Sequence, residues 1–185
     1  MRIIAGERKG ANLFTPKGDT TRPTLSRIRE SLFSILYDSV PGARVLDLFA
    51  GCGSLGLEAL SRGAETCDFV DRSGAALEAL RRNVEKLRYE GRARVHRRDA
   101  AAYLRAPHPD GVLWDLVLCD PPYGDAHMAA ILAALAGSPG VGPGTLVVLQ
   151  SGVRDAVPES AGGLAMVRRE DYGVTALRFY RPAAD

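Results

Sequence analysis

Short apolar runs alternate along this chain with segments in which apolar residues recur at helical spacing. Seven runs predict β-strands, and these cover residues 44–49, 66–70, 94–97, 115–119, 145–150, 164–170 and 174–180. The segments between them predict helices over residues 55–62, from Ser73 to Gly91, over 101–104 and over 126–136, whereas residues 153–163 are predicted to be irregular. Strands alternating with helices are typical of a doubly wound α/β sheet. The last two strands are expected to close it as a hairpin.

The first 41 residues follow a different pattern. Two strand-like pieces flank the glycine-bounded turn 6–10, which predicts a hairpin with Arg8 and Lys9 exposed at its tip. Apolar residues at helical spacing between positions 28 and 36 then predict a helix that Pro41-Gly42 ends. We therefore expect a single domain over residues 1–185, with an N-terminal extension (1–41) on an α/β core (42–185).

Composition is that of an ordinary globular protein. The 185 residues are 46% hydrophobic and 25% charged, and they contain neither a run of 18 apolar residues nor an apolar N-terminal leader. We therefore expect a cytoplasmic protein without a membrane partner. Three cysteines and three histidines are too scattered for a zinc site, so no metal is expected. Cys52, Cys67 and Cys119 are interpreted as buried small hydrophobic residues.

Positive charge is locally concentrated. A net charge of +2 and a pI near 8.5 fall short of the domain pI above about 9 that is typical of nucleic-acid binders. Basic residues nevertheless cluster in segments 1–30 and 81–98, and the second cluster is interpreted as a solvated face. In the first, Arg27 and Arg29 are predicted to lie in the first helical turn, where positive charge opposes the helix dipole. They indicate an anionic ligand, although an ordinary surface helix fits the composition equally well.

A glycine-rich turn follows the first strand of the core. Gly51, Gly53 and Gly56 have the spacing G-x-G-x-x-G between a strand and a helix, and Asp71 lies 20 positions after Gly51. Such glycines let a ligand approach the backbone closely, and the acid at the next strand's end accepts from two ribose hydroxyls. Both a dinucleotide and a nucleoside-type methyl donor fit this pattern.

The acid within the first strand favours the methyl donor. Asp47 would repel a pyrophosphate, whereas its carboxylate suits the ammonium of a methionine moiety, directly or through water. The following Phe49-Ala50 step and a downstream Asp-Pro-Pro-Tyr sequence point the same way.

The stretch with the most specific chemistry is Asp120-Pro121-Pro122-Tyr123, directly after the buried strand that ends at Cys119. Ligands of open α/β sheets bind at this edge. Asp120 and the Pro121 carbonyl only accept hydrogen bonds, which suits an exocyclic amine, and Tyr123 offers a ring on which an extruded base can stack. Pro122 makes the segment rigid. The alternative is a strand-ending turn without catalytic function.

Taken together, these motifs resemble a known family. Four segments occur in its order: 2–6 with 9–10, 22–24 with 27–33, 48–64, and 120–123. The chain closely resembles the bacterial 16S ribosomal RNA guanine-N2 methyltransferases of the RsmD type over nearly its full length. This resemblance implies a Rossmann-like seven-stranded methyltransferase sheet with helices on both faces and an antiparallel final strand. It further implies methyl transfer from S-adenosylmethionine to one guanine N2 of 16S rRNA in the assembled small subunit, with ribosomal proteins as further partners.

The resemblance also implies residue roles. Asp120, Pro121, Pro122 and Tyr123 are the expected catalytic group. The expected cofactor-binding residues are Asp47, Phe49, Ala50, Gly51, Gly53, Asp71, Arg72, Asp99, Ala100 and Asp120. For Asp99, a helix cap before residues 101–104 is an equally good local explanation. Candidates for contacts with RNA phosphates or the donor's carboxylate are Arg8, Lys9, Arg22, Thr24, Arg27 and Arg29.

Two alternatives remain open at this point. A DNA or other RNA adenine-N6 methyltransferase would share the cofactor residues, but it usually carries a target-recognition domain for which 185 residues leave no room. A non-catalytic RNA-binding subunit of the same fold is opposed by the intact glycine turn and Asp-Pro-Pro-Tyr. One departure from the family pattern is Cys52, where a hydroxyl residue is more usual.

Overall fold

A computed structural model describes residues 1–16, 23–107, 111, 113–122 and 128–183. The strands are β1 (Arg44–Leu48), β2 (Thr66–Asp71), β3 (Ala93–Arg97), β4 (Leu116–Cys119), β5 (Leu146–Gly152), β6 (Ser160–Ala161), β7 (Leu164–Tyr172) and β8 (Thr175–Pro182). The helices are α1 (Pro23–Ile35), α2 (Ser54–Ser61), α3 (Gly74–Leu87), α4 (Ala100–Arg105) and α5 (Met128–Ala136), with a 3₁₀ turn at Tyr37–Ser39.

The strands form one sheet in the order β3-β2-β1-β4-β5-β8-β7-β6. The first five are parallel, and β8 inserts antiparallel between β5 and β7. The predicted α/β architecture and closing hairpin are confirmed. The sheet has eight strands where seven were predicted, because two residues of the supposedly irregular segment pair with the start of β7.

The switch in strand order between β1 and β4 positions the site. The chain moves from β1 outward to β3, then crosses back to β4, so loops leave the carboxyl ends of β1 and β4 in opposite directions. Such a switch opens a crevice at the carboxyl edge of the sheet, and that is where ligands bind in folds of this kind. We call this side the carboxyl edge.

Apolar side chains bury both faces of the sheet. One cluster joins the N-terminal segment, α1, α2 and α3 to one face, and includes Phe33, Leu57 and Leu77. The other joins α4 and α5 to the opposite face, and includes Trp114 and Leu132. Because both faces of the sheet are buried, a strand such as β4 is apolar at every position.

The N-terminal hairpin docks on the end of α2. One antiparallel bridge, between Arg2 and Asn12, forms instead of two full strands. The buried carboxylate of Glu58 accepts the backbone N–H groups of Ile4 at 2.7 Å and Ala5 at 3.0 Å. At the tip, a side chain on Gly6 would collide with the Ser61 carbonyl at 1.8 Å, so only glycine permits this approach.

Helix α1 runs in the same direction as α2. Arg29 lies beside Glu58, and Arg62 lies over the ring of Phe33, 5.0 Å from its centroid. The chain that leaves α1 reaches the end of α2, where the N–H of Gly42 donates to the carbonyl of Gly63 at 2.8 Å, so both helices end on the same side and α1 starts toward the carboxyl edge. The prediction that Arg27 and Arg29 lie in the first turn was wrong. The helix begins at Pro23, a residue favoured at the first helical position, and this moves both arginines into the second turn.

Several element ends differ from the predictions for local reasons. Strand β1 stops at Leu48 because Phe49 adopts a left-handed conformation, with φ +65°. Helix α3 starts with the predicted Ser73 cap, but it ends at Leu87 because Arg88, with φ +60°, supplies the left-handed cap expected of Gly91. The start predicted for α5, at residues 126–127, lies outside the described residues.

The described residues include three cysteines and the helices and polar side chains considered next. Cys52, Cys67 and Cys119 are all buried, as predicted. None of the helices within the described ranges has the length and apolarity needed to cross a membrane. Within the same ranges, His, Cys, Asp and Glu side chains form no group of three or more that could hold a metal ion.

Candidate active site

A cavity of about 830 Å³ opens at the carboxyl edge. Its volume lies within the range of roughly 300–1,000 Å³ that is usual for small-molecule sites. The lining residues come from the ends of β1, β2, β3 and β4 and from α4 and α5: Phe49, Val70, Asp71, Arg72, Arg98, Asp99, Ala100, Ala101, Leu104, Asp120, Pro121, Pro122, Ala130, Ile131 and Ala134. The sequence-predicted acids at positions 71, 99 and 120 therefore meet in one cavity.

The glycine turn divides into an open position and two packed ones. Gly51 has φ +55°, and a Cβ placed on it would have nothing within 4 Å. A Cβ on Gly53 would lie 2.3 Å from Leu80, and one on Gly56 would lie 2.3 Å from the ring of Phe69. Gly51 is thus the position that leaves room for a ligand, while Gly53 and Gly56 are required for packing.

Asp71 ties the end of β2 to this turn. Its Oδ2 accepts the backbone N–H of Gly51 at 2.8 Å, and its Oδ1 accepts that of Ser73 at 2.8 Å. Each carboxylate oxygen keeps a further lone pair. Because Asp71 also lines the cavity, a fixed carboxylate with free acceptor sites faces the ligand space, as the binding of a ribose diol requires.

Asp47 is a buried residue of β1 that contacts the start of α2. Its side chain is 1% exposed, and its Oδ2 accepts the backbone N–H of Gly56 at 2.8 Å. Burial, opposed by this hydrogen bond and reinforced by the negative charges of Asp120 and Asp71, raises the pKa of its carboxyl to about 7. The structure therefore shows Asp47 holding the first turn of α2, and its contact with the donor's ammonium group, directly or through water, stays a prediction.

Asp99 serves two structural purposes at once. Its Oδ1 caps α4 by accepting the backbone N–H of Ala102 at 3.0 Å. The same residue and Ala100 line the cavity. The helix-cap interpretation is confirmed, and it leaves the second carboxylate oxygen available, so a contact with an adenine amine stays a prediction.

Asp120 opens onto the cavity at the end of β4. Solvent reaches it there, yet the surrounding protein desolvates the carboxyl and raises its pKa to about 6, against the lowering effect of a hydrogen bond from Gln150. Pro121 is buried and Pro122 is exposed. Tyr123, the fourth member of the predicted catalytic group, lies outside the described residues.

Several residues that line the cavity or contact Asp120 were not predicted from the sequence. Ala130, Ile131 and Ala134 of α5, together with Leu104, give the cavity an apolar wall. An alanine-rich helix carries no signal for such a role. Gln150, whose Nε2 donates to Asp120 Oδ1 at 2.9 Å, did carry one, since it is a polar residue directly after the apolar run Leu146–Leu149.

The N-terminal basic residues are spread over the molecule. Arg8 and Lys9 lie at the hairpin tip beside Ser61, the last residue of α2. Because α2 starts at the carboxyl edge, this tip lies at the opposite end, where a contact with the donor's carboxylate is excluded. Arg8 is also only partly exposed and lies over the ring of Tyr89, rather than projecting freely into solvent.

Arg29 corrects a second expectation. It is 5% exposed, and its Nη2 donates to the carbonyl of Arg2 at 2.6 Å. Its guanidinium therefore holds the hairpin and is not free for RNA or donor. Arg27 is exposed on α1, Thr24 lies in the first turn of that helix, and Arg22 lies outside the described residues.

These residues fit S-adenosylmethionine. The open side of Gly51 admits a ligand against the backbone, Asp71 and Asp99 offer acceptors for a ribose and an adenine amine, and Leu104 with Ile131 offers an apolar surface. Asp120 and Pro121 lie at the same cavity and supply acceptors for a second group.

Comparisons with known proteins find relatives over the whole length of the chain. A relative from Bacillus subtilis named "Putative rRNA methyltransferase YlbH" is 36% identical over 181 residues, covering 98% of both chains. Ribosomal RNA small subunit methyltransferase D of Escherichia coli is 32% identical, covering 100% of this chain and 91% of the relative. The solved Escherichia coli protein yhhF superimposes with a TM-score of 0.86 at 32% identity, covering 100% and 99% of the two chains.

A more distant structure shows how far the fold is shared. An RNA methyltransferase-like protein from Pyrococcus horikoshii, 18% identical, has a TM-score of 0.72 and covers 94% of this chain and 95% of that one. The family model described as conserved hypothetical protein 95 matches residues 1–181. The chain therefore belongs to that family, whose members include RsmD-type small-subunit rRNA methyltransferases.

Proposed function

We propose that this protein transfers a methyl group from S-adenosylmethionine to the exocyclic N2 of a guanine in 16S rRNA. The observation that carries the proposal is the meeting of two acceptor sets in one cavity. Asp71 and Asp99 suit a nucleoside-type donor, and Asp120 with Pro121 suits an exocyclic amine. When bound, S-adenosylmethionine supplies an electrophilic methyl group on a sulfonium.

The protein's own contribution is mainly positioning. An exocyclic amine is a weak nucleophile because its lone pair is delocalised into the base. Asp120 and the Pro121 carbonyl would accept its two N–H groups and favour a tetrahedral nitrogen, and the rigid proline pair holds both acceptors in place. Most of the acceleration then comes from orientation. Tyr123 remains the candidate for stacking the base.

The fate of the proton follows from the pKa of Asp120. The amine becomes acidic as the new N–C bond forms, so it needs an acceptor rather than a strong base. A carboxyl whose pKa is raised to about 6 is ionised at neutral pH and takes a proton more readily than an ordinary aspartate does. Asp120 thus accepts first the hydrogen bond and then the proton, before releasing it to solvent.

The substrate is proposed to be rRNA within the small subunit, in the cytoplasm. Two relatives, from Escherichia coli and Haemophilus influenzae, carry the name small subunit methyltransferase D. Positive charge at the cavity rim, at Arg72 and Arg98, complements a phosphate backbone. The modest net charge of +2 suits a particle whose ribosomal proteins share in docking. Thr24 and Arg27, near the carboxyl edge, remain RNA-contact candidates.

A labelling experiment tests the function. The protein is incubated with methyl-labelled S-adenosylmethionine and, separately, naked 16S rRNA, small subunits or duplex DNA, and the product is digested to nucleosides. We expect N2-methylguanosine, with small subunits as the best substrate and Asp120→Ala as the inactive control. Label in N6-methyladenine would assign the site to the adenine class. Absence of label from every substrate would leave an RNA-binding subunit.

A further inference from the structure

Gln150 is the polar neighbour of Asp120 on the adjacent strand. It lies in β5, where Leu149 pairs with Cys119 of β4, so its position in the sheet is next to that of Asp120. The side chain is largely buried, with the residue 9% exposed. Its Nε2 donates to Asp120 Oδ1 at 2.9 Å. The amide directly follows the apolar run Leu146–Leu149, and its contact with Asp120 gives it a role beyond packing.

The direction of this hydrogen bond is fixed, with Gln150 as donor and Asp120 as acceptor. An ionised carboxylate only accepts, so the amide must present its N–H to Asp120, and the rotamers of both side chains are coupled. The main chain gives Asp120 little other support. Its backbone N–H reaches the Leu48 carbonyl at 3.4 Å, a long contact, and the two prolines that follow have no N–H to anchor the segment.

We propose that Gln150 is a positioning residue that fixes the Asp120 carboxylate as the acceptor for the incoming amine. The proposal rests on the proposed function, since it assigns to Asp120 the amine-accepting role. One oxygen of the carboxylate is held by Gln150, so the other is presented to the cavity in one orientation.

The charges around Asp120 make this contact consequential. On β1, the carboxyl of Asp47 has a pKa raised first by burial and then by the charge of Asp120. On β4, the buried Cys119 thiol has a pKa raised by burial first and then by Asp120. Gln150, on β5, is the neighbour that lowers the pKa of Asp120, against the larger effect of burial. Removing its N–H therefore leaves burial unopposed, so the pKa of Asp120 rises.

The test compares Gln150→Leu with Thr145→Val. Leucine keeps the size of the side chain and removes the N–H. Thr145 is a buried polar residue just before β5 that hydrogen-bonds Trp114 and Gly142, so its replacement reports general damage to this strand. For Gln150→Leu on the small subunit we expect kcat lower by about 10-fold or more, little change in KM and donor affinity, and an acid limb moved to higher pH. Thr145→Val should keep the wild-type pH profile.

A second measurement is independent of activity. The Asp120 carboxyl is titrated by NMR in the wild type and in Gln150→Leu, and we expect a higher pKa in the variant. Failure of the wild type to methylate rRNA would overturn the proposed function while leaving this titration intact. An unchanged kcat and an unchanged Asp120 titration in Gln150→Leu would overturn the positioning role itself, as would an equal shift in Thr145→Val.

Discussion

Asp71 accepts the backbone N–H of Gly51 at 2.8 Å, across 20 residues of sequence. This bond joins the carboxyl end of β2 to the turn that follows β1, and the same carboxylate accepts from Ser73 at the start of α3. One side chain thus positions the open glycine of the turn and faces the cavity with its remaining lone pairs. Donor binding and loop geometry are consequently linked through a single carboxylate.

Replacing Asp71 should therefore weaken donor binding more than it weakens the fold. Asp71→Ala removes the acceptor for a ribose diol and frees the Gly51 turn, so we expect donor affinity to fall by about 10- to 100-fold, with each charged hydrogen bond contributing roughly 1.5–3 kcal/mol. Calorimetry with S-adenosylmethionine measures this. The donor affinity of Asp71→Asn, which keeps one acceptor oxygen, should lie between those of the wild type and Asp71→Ala. Wild-type affinity in Asp71→Ala would contradict the assignment.

Replacing Gly51 should mainly obstruct the donor, whereas the same substitution at Gly56 should mainly destabilise the fold. A Cβ on Gly51 meets open space, although its φ of +55° adds strain, so Gly51→Ala should cost about 1 kcal/mol of stability and obstruct the donor. A Cβ on Gly56 would lie 2.3 Å from the Phe69 ring, so Gly56→Ala should lower the free energy of unfolding by about 1–3 kcal/mol or more. Urea unfolding and donor calorimetry on both variants separate the two roles.

Asp120→Ala should abolish methyl transfer while donor affinity changes little. The carboxylate is assigned to the amine, so its loss should lower kcat by roughly 100-fold or more. In the wild type, activity should fall as pH drops through about 6, since that is where burial places the pKa of Asp120. Parallel calorimetry and a pH profile of kcat check both points. Loss of donor binding in Asp120→Ala would show that the division of roles is wrong.

Much of the site was predictable because parallel strands share an edge. Acids at the carboxyl ends of parallel strands of one sheet, such as Asp71 and Asp120, lie along the same edge, and here they line one cavity. The strand pattern and the glycine spacing locate these positions by local rules. The left-handed turn at Phe49 was not predictable, since bulky residues rarely adopt such a conformation.

The roles of other residues depend on contacts between positions far apart in the sequence. Arg29 was expected to be free for an anion, but its partner is the carbonyl of Arg2, 27 residues away. Gln150 and Asp120 are separated by 30 residues. Composition shows such residues as polar or basic, and only the packing of α1 and the pairing of β4 with β5 reveals what they contact.

The raised pKa of Asp47 predicts a particular pH dependence of stability. Burial raises the pKa of its carboxyl from 3.8 to about 7, so between these values the native state holds a proton that the unfolded state releases. The contribution of Asp47 to the free energy of unfolding is therefore largest at low pH and is lost as pH rises through about 7.

Asp47→Asn should flatten this dependence of the free energy of unfolding on pH. Urea unfolding of the donor-free protein at pH 5 and pH 8 measures it, with Asp120 adding a smaller effect of the same sign. An identical slope in the variant would contradict the assignment.

Glu58 should prove essential for the N-terminal hairpin and dispensable for the donor site. Its buried carboxylate accepts from Ile4 and Ala5 and pairs with Arg62, so Glu58→Ala leaves buried donors without an acceptor. We expect a loss of about 3–5 kcal/mol of stability, the usual result of breaking a buried ion pair. Hydrogen exchange should show loss of protection at the Ile4 and Ala5 amides, whereas Glu78→Ala, an exposed acid on α3, should leave them protected. Because the hairpin tip lies opposite the carboxyl edge, donor affinity in the folded variant should stay near the wild-type value. A parallel loss of donor binding would mean that the hairpin and the glycine turn are coupled.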